Sequence, residues 1–455
     1  MNVTKKLALA TAGACALMLP ALASATPYAP DQGEESMSPA MAEILPLRDQ
    51  AAMRDAWLET RFQTVLPQLM RENGIDMWIL VAREYMEDPV VSTMLNATNL
   101  RARRRTILIF FDPGEGKPIE RLVVSKHGMG TLYDAVWDMD KQPDQWARVR
   151  ELVAERNPKK IALNTSSLTA FADGMTYSQY NDLVAAFTPE MRNSIVSGYP
   201  LAIGWLETRI PEEMVIFEKA VRTAHAIIGE GFSTRIVTPG KTTTEDLVWW
   251  YRQRVNDVGL GSWFHPSVSV TRRGGGVVRG RDTVIQKGDM LHVDFGVVYM
   301  GLNTDTQHLA YVLRDGESEA PAGLRAGMLD NNKVQDAVTS EFRVGEKGND
   351  ILKRAIDKSK KAGLKPLIYS HPIGYHGHGA GSTVGLTENQ TFIPTGEYLI
   401  RPNIAWSIEL SATRAVPEWD GQMVVFPSEE DMFFDGKTVR YIDGRQTKFH
   451  LIGDR

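Results

Sequence analysis

Six of the nine histidines, His265, His292, His308, His371, His376 and His378, fall between residues 265 and 378. The densest group, SHPIGYHGHGAG (370–381), sets imidazoles among glycines, where backbone can approach a ligand closely. Four acids in the same half of the chain sit in apolar contexts: Asp294 within MLHVDF, Asp305 just ahead of LAYV, Glu409 within WSIEL, and Glu430, or its neighbour Glu429, within FPSEEDMFF. A carboxylate among apolar neighbours is expensive to desolvate unless positive charge lies against it. Taken alone, Asp294 and Asp305 are equally compatible with a hairpin whose aspartates face water. Four such acids with glycine-flanked histidines point instead to a site for hard or borderline divalent cations. A two-metal hydrolytic centre fits, because bridging carboxylates hold two ions close enough to share and acidify one water.

The elements that must position these residues are legible in outline. Two apolar runs, Leu291 to Phe295 and Leu309 to Val312, flank a turn-like centre at Tyr299 to Asn303, which predicts a β-hairpin carrying one aspartate on each arm. Before it, Pro211 opens a helix with Glu212 and Glu213 in its first turn, and Thr242-Thr-Thr-Glu245 opens a second that Gly259 ends. A strand is predicted over Ser262 to Val270. The run Gly274-Gly275-Gly276 reads as a turn, since no Walker lysine and serine follow it. Beyond the hairpin come helices near 324–342 and 350–361, then strands near 404–411 and 422–426.

The first half gathers no catalytic residue types. A helix over Asp55 to Glu72, kinked at Pro67 and stopped at Gly74, leads to strands at Met77 to Val81, Thr106 to Phe111, Arg121 to Val124 and Lys160 to Leu163. Helical patterns at Trp146 to Glu155 and Tyr177 to Phe187 alternate with them, which predicts an α/β layered domain. The basic run Arg101 to Arg105 reads as a solvated loop. The boundary between the halves is expected near Leu201 to Arg209.

Composition narrows the function classes. At 455 residues the chain is long for one core, so two domains are expected. A net charge of -5 argues against a nucleic-acid partner. Residues 1–25 read as a signal peptide: Lys5 and Lys6, the apolar run Leu7 to Leu22, and Ala23-Ser24-Ala25 before the cut. Export to the periplasm or beyond follows, with 26–45 a loose leader. No later stretch approaches about 18 uninterrupted apolar residues, so no membrane span is expected. Cys15, the single cysteine, lies inside the signal, which leaves oxygen and imidazole as the only metal ligands of the mature chain.

The order of these residues resembles the pita-bread metallopeptidases, the group of Xaa-Pro aminopeptidases, prolidases and methionine aminopeptidases. It runs Asp, ten residues, Asp, then His in Gly-His-Gly-x-Gly, then Glu in Ile-Glu-Leu, then Glu followed by Asp. The match covers about residues 206–455 as a pita-bread α+β catalytic domain. An α/β domain over 46–205 is similar to the creatinase-type arrangement of the Xaa-Pro aminopeptidase and prolidase branch. By position the resemblance implies Asp294, Asp305, His378, Glu409 and Glu430 as ligands of a dinuclear site. His378 is taken over His376 because it lies inside Gly377-His-Gly-Ala-Gly381, and Glu430 over Glu429 because Asp431 follows it.

The resemblance also implies two divalent ions (Mn, Co, Zn or Fe, with Mn preferred), Glu409 as general base and acid, a small peptide or amide substrate, and a homodimer. Two departures stand out. The family's second histidine, seven residues after the ligand histidine, falls on Gly385, and another, 17 or 18 residues before the first aspartate, falls on Gly276 and Val277. His265, His371 and His376 are therefore candidate replacements, as are Arg273 and Arg279, against the plainer reading of packing or outer-sphere residues. A non-peptide amide substrate and an inactive binding protein are the alternatives that these departures leave open.

Overall fold

The computed structural model describes residues 40–114, 116–278 and 282–453. The expected signal peptide, most of the leader and Arg279 lie outside the described residues. The predicted long first helix is two: α1 (Leu47–Gln63) and α2 (Val65–Glu72). The break falls at Thr64 rather than at Pro67, because a proline ring clashes with the carbonyl four residues earlier, here that of Gln63.

The first sheet contains β1 (Met77–Arg83), β2 (Arg105–Phe111), β3 (Glu120–Val124), β4 (Asp134–Ala135), β5 (Ile161–Leu163) and β6 (Ile195–Ser197), in the order β4-β3-β2-β1-β5-β6. Its strands β1 and β2 are apolar on both faces, as a sheet covered on both sides requires. The helices between and around them are α3 (Pro89–Met94), α4 (Gln145–Arg156), α5 (Tyr177–Ala186) and α6 (Pro189–Asn193). The chain leaves this α/β domain through α7 (Tyr199–Glu207), whose residues from Leu201 on are buried.

Two helices, α8 (Pro211–Gly231) and α9 (Thr244–Asp257), then lead into the second sheet. There β7 (Ser267–Arg272) and β8 (Gly276–Val278) form a hairpin that turns on the three glycines. Strand β9 (Met290–Phe295) follows. The short pair β10 (Val298–Tyr299) and β11 (Leu302–Asn303) closes the predicted hairpin, and β12 (Thr306–Val312) returns antiparallel to β9. Helices α10 (Ala322–Thr339) and α11 (Gly348–Lys361) precede β13 (Pro366–Ile373), β14 (Ile404–Val416), β15 (Gln422–Phe434), β16 (Val439–Tyr441) and β17 (His450–Ile452). The main path is β13-β14-β15-β12-β9-β7-β8, with β16 on β15 and β17 on β12. Sequence periodicity missed β13 altogether and saw only the first part of β15, because both run through Ser, His, Pro and Glu rather than apolar residues.

One apolar cluster joins the two parts, running from Trp57, Phe62 and Phe110 to Val293, Phe295 and Ile373. Met41, Ile44 and Leu45, at the end of the expected leader, pack on it, and the Leu45 N–H donates to Tyr299 Oη at 2.9 Å. The joint also holds buried charge. Arg61 on α1 donates to both oxygens of Glu213 on α8 at 3.0 and 3.2 Å, Arg209 lies 3.3 Å from the same carboxylate, and Tyr375 donates to it at 2.5 Å. These partners satisfy a carboxylate that would otherwise be costly to bury.

Nearby Glu207 is pushed up to about 8 by burial, which outweighs Arg401 and the hydroxyl of Tyr398. The folded chain therefore keeps a proton that the unfolded chain releases near pH 4.5, and stability falls as pH rises from there to about 8. Urea midpoints measured across this window are expected to decline less steeply in Glu207→Gln than in the parent chain.

Candidate metal centre

The register of the second sheet decides which side chains meet. Residues directly opposite across a ladder share a face, and so do residues two apart on one strand. Tyr369 pairs with Glu409, Glu409 with Glu429, Glu429 with Gln307, and Gln307 with Asp294. Asp305, two residues before Gln307, and His371, two residues after Tyr369, join the same face. One face of five neighbouring strands thus carries Asp294, Asp305, His371, Glu409 and Glu429.

Distances confirm that these groups converge. Ligand atoms of Asp294, Asp305 and Glu429 lie within 4.8 Å of one another, as do those of His371, Glu409 and Glu429, and those of Asp305, His371 and His378. His371 Nε2 is 3.7 Å from Glu429 Oε1. Burial, then repulsion from Glu429, pushes the carboxyls of Asp294, Asp305 and Glu409 upward. A bound divalent cation reverses that logic and holds such groups ionised. The donor set, oxygen-rich with one imidazole on the sheet, fits Mn, Co, Zn or Fe.

Neutral donors orient the cluster. Gln307 Nε2 donates to Glu409 at 2.9 Å and to Glu429 at 2.7 Å, while its Oε1 faces His292 Nε2 at 2.8 Å. Ser407 Oγ donates to Glu429 Oε1 at 2.5 Å, and the backbone N–H of Asp305 donates to Asp431 at 3.2 Å. Gln307, Ser407 and Tyr369 were not singled out in the sequence. Their signal, alternate positions on strands that carry a ligand candidate, becomes usable only once the register is known.

Of the residues taken from the sequence as ligands, Glu430 stands elsewhere, and His378 stands at the rim, its ring within reach of Asp305 and His371. Glu430, one residue past Glu429 in the strand's alternation, points to the opposite face of the sheet, towards His225 and His308. The structure brings Glu429, not Glu430, to Asp294 and Asp305. His378 is exposed and reaches the site from its rim, edge-on to His371 and Trp263 with ring centroids 5.0 and 5.2 Å away. His371, on β13, is the imidazole that meets Glu409 and Glu429. The glycines around His378 serve that rim: a Cβ on Gly377 would lie 2.4 Å from the Trp263 ring, so only glycine lets the loop close over the indole.

The other candidates do not enter the cluster. His376 stacks on Phe171 of the α/β domain at 4.5 Å and is pushed down to about 4 by burial and by Arg209. His265 is exposed beside Trp249 and Arg252 on α9. Arg273 is paired with Asp420. Gly276 and Val277 lie in and beside the β7–β8 turn and bring no imidazole.

A curled mixed sheet with acids and an imidazole converging on one face, preceded by an α/β domain, defines a pita-bread metallohydrolase of the creatinase and aminopeptidase architecture. Residues 217–443 match Metallopeptidase family M24, and the chain belongs to that family as a metallopeptidase-like hydrolase. Among solved structures it is similar to X-Pro aminopeptidase from Thermotoga maritima MSB8 (14% identity, 84% of this chain and 99% of that one, TM-score 0.58). It is also similar to Xaa-Pro dipeptidase from Bacillus anthracis (17% identity, 90% and 100%, TM-score 0.55). A dipeptidase from Pyrococcus horikoshii OT3 aligns likewise (16% identity, 87% and 100%, TM-score 0.56). At these identities the likeness is one of fold. No match is found among curated proteins.

Gln307→Leu removes the donor shared by Glu409 and Glu429 without touching a candidate ligand. Outer-sphere partners of this kind typically govern about 10–100-fold in metal affinity or activity. Competition with a chromophoric chelator should show a loss on that scale, with the far-ultraviolet circular dichroism unchanged.

Proposed function

We propose that the chain is an exported, dinuclear metal-dependent hydrolase of peptide or other amide bonds, acting as an Xaa-Pro aminopeptidase or dipeptidase. The observation that carries this reading is the convergence of Asp294, Asp305, Glu409, Glu429 and His371 on one sheet face. On this reading those five residues hold two divalent ions, manganese being preferred. When bound, the ions polarise the scissile carbonyl and acidify a water. Glu409, half-buried at the edge of the cluster, takes the proton of the attacking water and returns it to the leaving amine.

With His371 as ligand, the family spacing is restored. His378 then stands seven residues later, where the second histidine of these peptidases meets the substrate, and its exposure leaves it able to donate to a substrate carbonyl. The remaining departure is the absence of an imidazole at Gly276 and Val277. Tyr369, whose phenol burial and then Glu409 and Glu429 hold protonated, is a second donor on the same face. Export rests on the character of residues 1–25, and a homodimer on the resemblance. Among the described residues no helix is long and apolar enough to cross a membrane.

The test combines metal analysis of the purified protein with a panel of Xaa-Pro dipeptides and tripeptides and one non-peptide amide. Two divalent ions per chain and turnover of proline peptides are expected. Asp294→Ala, His371→Ala and Glu429→Gln should each lower kcat/KM by at least about 100-fold, since the ions supply several kcal/mol of transition-state stabilisation. A metal-free protein, or an Asp294→Ala enzyme of unchanged activity, would overturn the reading. Turnover of the non-peptide amide with every proline peptide inert would keep the centre and replace the substrate.

A further inference from the structure

Behind the acidic face, the same sheet carries a second convergence of metal-ligating side chains that the hydrolytic reading does not use. Glu430 follows Glu429 on β15 and points to the other side. There His308 of β12 shares its face, and α8 packs across it, bringing in His225. Glu430 Oε1 lies 3.2 Å from His308 Nε2, and Oε2 lies 3.4 Å from His225 Nε2. All three side chains are 0% exposed.

Both imidazoles hydrogen-bond to Glu430, and the same separations also suit three donors converging on one ion. Donors bound at about 2.0–2.1 Å around a tetrahedral ion stand about 3.3–3.4 Å apart. A charge-assisted N–H···O bond is shorter, about 2.7–2.9 Å. The outer nitrogen of each imidazole is also held: His225 Nδ1 lies 3.1 Å from Asp443 Oδ2, and His308 Nδ1 lies 3.2 Å from His450 Nε2. Such partners fix the tautomer and turn Nε2 inward, which is how metal-bound histidines are ordinarily oriented. The backbone N–H of Gln446 donates to Glu430 Oε1 at 2.7 Å and sets the carboxylate. His450, which holds His308, also forms part of the wall of a surface cavity of about 620 Å³ that Phe232 and Phe449 line.

We propose that His225, His308 and Glu430 form a separate, buried site for a zinc-class divalent ion, back to back with the acidic centre through the adjacent residues Glu429 and Glu430. Two imidazoles and one carboxylate without thiolate favour zinc over calcium or magnesium. Bound there, the ion ties α8 to β12 and β15 and stabilises the fold.

The test uses the full chain with the acidic centre disabled by Asp294→Asn and Glu429→Gln, dialysed against zinc and analysed for metal. One zinc per chain is expected, with a histidine-containing nitrogen and oxygen shell in its X-ray absorption spectrum, and a melting temperature that chelator lowers. Adding His308→Gln to this protein should abolish that zinc. A disabled chain that stays folded by circular dichroism yet takes up no zinc overturns the proposal. Zinc retained in full after His308→Gln overturns it too. Failure of the hydrolytic reading has a different signature, in which the parent chain and the disabled chain hold the same metal and neither cleaves an amide.

Discussion

Mutual repulsion among Asp294, Asp305, Glu409 and Glu429 is the constraint on which the rest of the structure depends. Burial and the nearness of Glu429 raise the carboxyls of the other three, so the unliganded cluster is electrostatically costly. Among the described residues no lysine or arginine forms an ion pair with it. The chain supplies neutral donors instead, from Gln307 and Ser407, which orient the oxygens and leave the charge for a cation to balance. This is the expected economy of a metal site: the protein fixes the geometry and the ion brings the charge.

That geometry comes from a ladder rather than from loops. The strands that carry the acids are paired through β13, β14, β15, β12 and β9, and a one-residue slip in any of them would send its ligand to the wrong face. Gly296 shows how tightly the two arms of the hairpin close. A Cβ there would lie 2.2 Å from the carbonyl oxygen of Thr304 and 2.8 Å from the rings of Trp263 and Phe264. Helices α8 and α10 pack on the opposite side of the sheet, His225 against Glu430 and Asn331 against Ser428.

The α/β domain contributes position rather than chemistry. Its α1 reaches across the joint through Arg61, and Phe171 stacks on His376, so it braces both the start of α8 and the glycine-rich segment after β13. Tyr375 couples the two, since its hydroxyl binds Glu213 while its ring lies under Arg209 at 4.4 Å. The rim that carries His378 is therefore anchored from the domain that holds no candidate ligand.

Much of this was legible in the residues alone. Apolar runs broken by one acid marked Asp294, Asp305 and Glu409, and alternating helical and strand patterns marked both the α/β half and the hairpin, because desolvation cost and periodicity are local properties. The choice between His371 and His378, and between Glu429 and Glu430, was not local. Glycine around His378 suggested a ligand loop, yet those glycines make room for Trp263 and the carbonyl of Pro372. Asp431 after Glu430 suggested the last ligand, yet the alternation of β15 turns Glu430 away. Sequence by itself determined that acids and imidazoles of this half would gather in one place. Only the tertiary structure decided which of each adjacent pair faces the centre, because that depends on strand register, and register is set by pairing between distant segments: Gln307 pairs with Glu429, 122 residues later, Asp294 with Gln307, and Glu409 with Glu429 and Tyr369.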